Sequence, residues 1–339
     1  MKWLALIFTA GLALAESPQL TNARFETRPV TGDGQRYMED LVAHETGPLW
    51  VGYAVDSSQP DNNSCCWNNN VSCGCRLEGG SGGVSIQRTG EPIKLEGSRT
   101  LFVLYRVQDH AITKVRSFSA SCPLDAGGLR FVWLTGVSAQ ASIQFLSTHV
   151  KQEKDSALVA IAMHAGEAAD QALERFAEPS NGEQIQEKAL FWLANSRGER
   201  GLKTVLRVAQ HDPSDHIREK TMFDLSLSKE PAAIDALINS AKHDSSARVR
   251  EQALFWLAQK AGAKAVGEIK NSIDNDPDTE VKKKAVFALQ QLPEGEGVPL
   301  LIEVAKTNRN AEVRKQAMFW LGQCHDPRAL AFFQEVLAR

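Results

Sequence analysis

The sequence predicts a mainly α protein, an α-solenoid preceded by a small α+β domain. Three observations carry this. Phe191, Phe223, Phe255, Phe287 and Phe319 follow one another at a spacing of 32 residues. An aliphatic residue stands six positions before each (Ile185, Ile217, Val249, Val281, Val313), and no insertion breaks the register. A fixed period of this size marks a stack of like units, each burying its apolar face on its neighbours. Residues 16–136, by contrast, lack the period and carry short β-branched and aromatic runs between turn-rich stretches.

The chain opens with Lys2 and an apolar run from Trp3 to Ala15 that ends in Ala13-Leu14-Ala15. This is the pattern of a cleavable secretory signal over 1–15, with Glu16 as the first mature residue. The run is too short to span a bilayer, and no later segment is long and apolar enough to do so. No Cys follows the cleavage site to take a lipid. The expectation is a soluble, periplasmic or secreted chain with no membrane span. The formal net charge is −3, and acids exceed bases by two both in 16–136 and in 137–339. No basic excess is present to support nucleic-acid or anionic-membrane binding.

Within 16–136 the pattern places strands near 21–28, 49–55, 100–107, 111–118 and 130–135, and a helix around 34–45. A loop over 56–83 is rich in Asn, Ser, Gly and Cys. Cys65, Cys66, Cys73, Cys75 and Cys122 are disulfide candidates in an exported chain. Sequence neighbours bridge poorly, so cross-pairing of Cys65 and Cys66 with Cys73 and Cys75 is favoured. One of the five is then left over, and the connectivity stays open. The alternative is a zinc site completed by His44 or His110, although the C-C-x6-C-x-C spacing is not a common zinc pattern. No metal or cofactor is expected. Cys324, in the last repeat, reads as a free, partly buried thiol.

From about Gly136 the pattern turns helical. Ser138 caps a helix over 139–149. A weaker unit precedes the five clear ones, because Ala157, Leu158 and Ile161 match Ala189, Leu190 and Leu193. The inter-repeat turns HDPSD (211–215), HDSSA (243–247), NDPDT (275–279) and TNRNA (307–311) stay in register. In them an acidic residue precedes a cation by six positions. Asp212 and Arg218, Asp244 and Arg250, and Asp276 and Lys282 fit; Asn308 and Arg314 fit half, and Ser180 and Gln186 do not.

These features resemble the HEAT-repeat family in the short bacterial form also found in phycobilisome lyases, and the resemblance covers 138–339. The whole chain is similar to exported bacterial HEAT-repeat proteins. The resemblance implies a right-handed solenoid of helix pairs, with the acid–cation pairs forming a ladder along the stack. It also implies that the second helix of each pair lines a concave surface.

On a projection at about 100° per residue, Val249, Ala253, Leu257 and Leu254 define the buried face of one such helix. Trp256 falls on the edge of that face and Phe255 nearly opposite its centre. The five Phe therefore form a row, flanked by Lys188, Lys220, Gln252, Lys284 and Gln316, and then by Asn195, Gln259, Gln291 and Gln323. Two readings are open: the rings fill the seam between adjacent helices, or they hold an extended peptide whose backbone the amides bond. Trp192, Trp256 and Trp320 alternate with Asp224 and Ala288. Such large–small alternation suits core filling between repeats. The eight His are scattered: His211 and His243 share a turn position, and His149 and His164 read as ordinary polar residues near helix ends. No hydrolase, zincin, Walker or dinucleotide fingerprint occurs. The sequence thus points to a non-enzymatic scaffold binding a protein or peptide partner. The alternatives are a lyase attaching a pigment, or a functional Cys-rich domain with the solenoid as spacer.

Overall fold

The computed structural model describes residues 17–59, 65, 67–68, 71–72, 74–79, 83–84, 99–152, 156–292 and 295–338. The leader over 1–15, Cys66 and Cys73 lie outside these. The chain divides into two compact units between Ala172 and Leu173.

In the first unit the elements run β1 (Leu20–Thr21), β2 (Arg24–Pro29), α1 (Gly34–His44), β3 (Leu49–Asp56), β4 (Trp67–Asn68), β5 (Val71–Ser72), β6 (Gly74–Arg76) and β7 (Gly83–Val84). They continue with β8 (Thr100–Gln108), β9 (Ala111–Ser119), β10 (Leu124–Asp125), β11 (Arg130–Thr135), α2 (Ala139–His149) and α3 (Ser156–Met163). Five strands form a mixed sheet in the order β2-β11-β3-β8-β9, with β11 parallel to both β2 and β3 and the β3-β8-β9 pairings antiparallel. Both faces are covered, which explains why β3 and β8 read as near-continuous apolar runs rather than alternating ones. On one face Trp50, Phe102, Leu104, Phe131 and Trp133 pack with Cys65, Cys75, Leu77 and Cys122 beside the small sheet β1-β10-β6-β7. On the other, Tyr105 packs against Phe145 of α2 with ring centroids 5.1 Å apart. Gly52 is required where β3 passes under these rings: a Cβ there would stand 2.5 Å from Leu104 Cδ2 and 3.1 Å from Phe131 and Trp133.

The cysteine pairing departs from the expectation. Cys65 bonds Cys122, 57 positions away, instead of a cysteine of its own loop. Cys75 is disulfide-bonded too. These sulfurs sit in the sheet core, so they are structural and are not thiolate metal ligands. His110 Nδ1 donates to the Ala43 carbonyl at 2.8 Å and His44 Nδ1 to the Asp40 carbonyl at 2.7 Å.

The unit boundary also falls later than 136/137, because α2 and α3 are tied to the sheet. Tyr53 Oη bonds Ser142 Oγ at 2.8 Å, and Ser142 Oγ bonds His164 Nε2 at 2.8 Å. His164 Nδ1 donates to the Ala160 carbonyl at 2.7 Å. All three side chains are fully buried, so His164 is a core hydrogen-bonding group rather than an ordinary helix-end polar residue. Burial holds the Tyr53 hydroxyl well above its usual range, and the bond from Ser142 offsets this only in part. Ser138 does cap α2, accepting from the Ala141 amide.

Helix α4 (Glu167–Phe176) crosses the boundary. The second unit continues with α5 (Glu183–Ser196), α6 (Gly198–His211), α7 (Asp215–Leu227), α8 (Ala232–His243) and α9 (Ala247–Ala261). Then follow α10 (Val266–Asn275), α11 (Thr279–Gln290), α12 (Gly297–Thr307), α13 (Ala311–Gln323) and α14 (Pro327–Leu337). Each Phe-bearing helix (α5, α7, α9, α11, α13) stacks on the next, and among the intervening helices α8 packs on both α6 and α10, and α12 on α14. The periodic aliphatics Ile185, Ile217, Val249, Val281 and Val313 are buried, as are Leu193, Leu225, Leu257, Leu289 and Leu321.

A second column escapes the sequence reading. Gly201, Ala233, Ala265, Gly297 and Ala329 repeat at the same spacing and are all buried. Small residues let the two helices of a pair approach closely. At Gly201 a Cβ would stand 2.1 Å from the Leu193 carbonyl oxygen, and at Gly297 1.8 Å from that of Leu289.

Candidate interaction surface

The turns between repeats are built from their acids. Asp212, Asp244, Asp276 and Asn308 each accept, through Oδ1, the amide two residues on, at 2.8–3.0 Å. The arginine six positions later then ties two turns together. Arg218 donates from Nη1 to the Asp212 carbonyl at 2.7 Å and from Nε and Nη2 to the Asp244 carboxylate at 2.9 and 3.0 Å. Arg250 repeats the arrangement with the Asp244 carbonyl at 2.9 Å and the Asp276 carboxylate at 2.8 and 3.0 Å. Both arginines are about nine-tenths buried. Bidentate guanidinium–carboxylate pairs of this kind satisfy the planar fork fully.

The ladder's ends differ from the simple pattern. Gln186, which did not fit it, donates to Asp212 Oδ2 at 2.6 Å and so fills the arginine's place. Lys282 fits by type but turns to the Asp274 carbonyl at 2.8 Å, because a single ammonium cannot reproduce the fork. Arg314 binds the Asn308 and Arg309 carbonyls of its own turn.

On another face of the same helices the rings join into one strip. Phe191 stacks on Phe223 with centroids 6.4 Å apart and planes at 17°, and Phe255 on Phe287 at 6.0 Å and 7°. Trp256 bridges Phe223 at 4.9 Å and Phe255 at 4.8 Å. Trp320 bridges Phe287 at 4.7 Å and Phe319 at 5.0 Å, and Trp192 meets Phe191 at 5.2 Å. Eight rings thus run in contact across five helices. The tryptophans belong to this strip, half-buried, and are not the core filling that their alternation suggested. The alternation shows in ring geometry: Phe packs on Trp where the next repeat has one, and on Phe where that repeat has Asp224 or Ala288.

The strip reconciles the two readings of the Phe row. The rings do fill the inter-helix seam, yet one edge stays open: Phe223 is 38% and Phe319 53% exposed. Beside them Lys220, Lys284, Asn195, Gln259 and Gln323 are exposed, while Lys188, Gln252, Gln291 and Gln316 are half-buried. The amides are partly used internally, since Gln259 Nε2 donates to Gln291 Oε1 at 3.1 Å. Lys260 is absorbed differently, capping α7 by donating to the Ser226 and Ser228 carbonyls at 3.0 and 2.5 Å.

Asp224 is the exception in this surface. It occupies the column of Trp192, Trp256 and Trp320, is 4% exposed, and has no hydrogen bond or ion pair to its carboxylate among the described residues. Burial, with the nearby Glu187 carboxylate adding to it, pushes its pKa up to about 8. Glu187 itself lies 3.0 Å from His216 Nε2.

Period-locked helix pairs joined by a turn ladder define an α-solenoid of stacked repeats. The family model described as HEAT repeats matches residues 263–339, and the same 32-residue period carries back through Phe191. No curated protein matches the chain. Among solved structures, human deoxyhypusine hydroxylase in complex with glycerol is similar at 15% identity and a TM-score of 0.32, over 58% of this chain and 90% of that one. The complex of CpcE and CpcF of phycocyanin lyase from Nostoc sp. PCC7120 is similar at 19% identity and a TM-score of 0.34, over 55% and 76%.

Proposed function

We propose that the array is a non-catalytic scaffold that holds an extended segment of a partner protein along the aromatic strip. The observation that carries this is the unbroken run of eight rings with an open edge at Phe223 and Phe319. Contiguous exposed aromatic surface is costly in water, and aromatic anchors dominate binding energy in protein interfaces. The flanking amides and lysines supply backbone acceptor and donor partners for an extended chain. The compartment is proposed to be extracytoplasmic. The leader-like run over 1–15 supports this, as do the disulfide-bonded Cys65, Cys75 and Cys122, since structural disulfides persist where thiols are not kept reduced.

The test is selection of peptides on the full chain from a random displayed library, followed by affinity measurement against the Phe223→Ala, Phe319→Ala double variant. The expected result is a loss of about tenfold or more, as for interface aromatic anchors, with the unfolding midpoint nearly unchanged. Equal binding by the variant would remove the strip as the site.

A further inference from the structure

An aromatic strip built on a strict period carries one acid where its neighbours carry indoles, and that acid has no counter-charge. A buried carboxylate without a hydrogen-bonding or cationic partner costs several kcal/mol if it ionises, so such groups ordinarily sit in pairs or networks. The contrast with the turn ladder is direct. There every buried Asp of the first three turns is bonded to a side chain of the preceding repeat, by Gln186, Arg218 and Arg250. Asp224 instead has no such partner, and a second acid lies near it. Its column position sets it against α5, as Trp256 is set against Phe223 and Trp320 against Phe287. Glu187 on α5 is close enough to add to its rise.

We propose that Asp224 and Glu187, beside the stacked rings of Phe191 and Phe223 that the column position sets against Asp224, form a recognition site for a cationic side chain, a lysine ammonium of the bound segment. The chemistry matches on both counts. Carboxylates supply the counter-charge in a desolvated place, and ring faces attract an ammonium through their quadrupole. A Trp in this column would fill the place with indole, as in the first, third and fifth repeats; the short Asp supplies charge instead. The site therefore sets which residue of the partner docks near the second repeat. It rests on the proposal that the strip binds an extended segment, and it names the preferred side chain there.

The test uses the full chain and two short Leu/Ser peptides that differ only at the centre, lysine in one and norleucine in the other. Binding is measured for the wild type and for Asp224→Asn, which keeps the shape of the protonated acid. The expected result is a lysine preference of about tenfold in the wild type. In Asp224→Asn that preference disappears, while the norleucine peptide binds as before and the variant unfolds at no lower temperature. No preference in the wild type, or a preference that survives in Asp224→Asn, overturns the cation site and leaves the strip intact as a docking surface. Failure of both peptides to bind overturns the cation site and the strip together.

Discussion

The turn ladder and the aromatic strip lie on the same helices and share the same period, yet they end in opposite states. In the ladder, Arg218 and Arg250 each place three donors on acceptors from two successive turns, and the acids spread their oxygens over a backbone amide and a guanidinium. Nothing in it is left to offer. In the strip, the rings satisfy one another only along their inner side, and a carboxylate beneath them has no counter-charge. A 32-residue period alone therefore does not separate structure from function. What separates them is whether the recurring groups are saturated by each other.

Removing one member of the ladder should have the largest effect on stability. Arg250→Ala strands the Asp276 carboxylate in a nearly dry place and is expected to cost about 3–5 kcal/mol in urea unfolding. Little change there would mean that the ladder is not what fixes the stack. Next, Phe287→Ala removes a half-buried ring held between Phe255 and Trp320, with an expected loss of about 2 kcal/mol, roughly half that of a full core deletion. Phe319→Ala, at the open end, should lose under about 1 kcal/mol, in keeping with surface substitutions. Equal losses at these two positions would erase the distinction between seam and edge.

Asp224→Asn sharpens the comparison through pH. The folded-state pKa is raised above the unfolded one, so between about pH 4 and about 8 the folded chain keeps a proton that the unfolded chain has released. Stability of the wild type should accordingly fall as pH rises through that window, and Asp224→Asn should lack this component. Glu187 on α5 and its partner His216 are the same in both proteins, so the difference between the two, rather than either curve alone, isolates Asp224. The smallest effect belongs to Lys282→Ala, within about 1 kcal/mol, because its ammonium makes a single exposed bond to a carbonyl.

Much of this architecture is legible in the sequence, for physical reasons that also mark the limits. The repeat array reads out because its contacts are local: an aliphatic at one phase of a helix must meet the same phase in the next unit. Even Phe255 lying nearly opposite the centre of the buried Val249–Leu257 face follows from helix geometry. The main strands of the first unit are legible from β-branched runs. Their parallel pairing β2-β11-β3 is not, nor is the Cys65–Cys122 bond, because both join positions far apart in the chain. Gln186 is not legible as a ladder member because an amide can occupy a guanidinium's place without resembling it. The place of the tryptophans is not legible either, because alternation in volume looks the same whether the gap is filled in a core or along a half-open seam. Asp224 stood in plain view in its column, but only its burial and lack of a partner mark it out.

The most direct test of the strip as a working surface is a single-alanine series over Phe191, Phe223, Phe255, Phe287 and Phe319. Unfolding free energy and affinity for one selected peptide are measured on each variant. If the strip binds, affinity falls about tenfold or more at Phe223 and Phe319, where stability barely moves. A series in which affinity is lost only in proportion to stability would contradict the account and reduce the rings to seam packing.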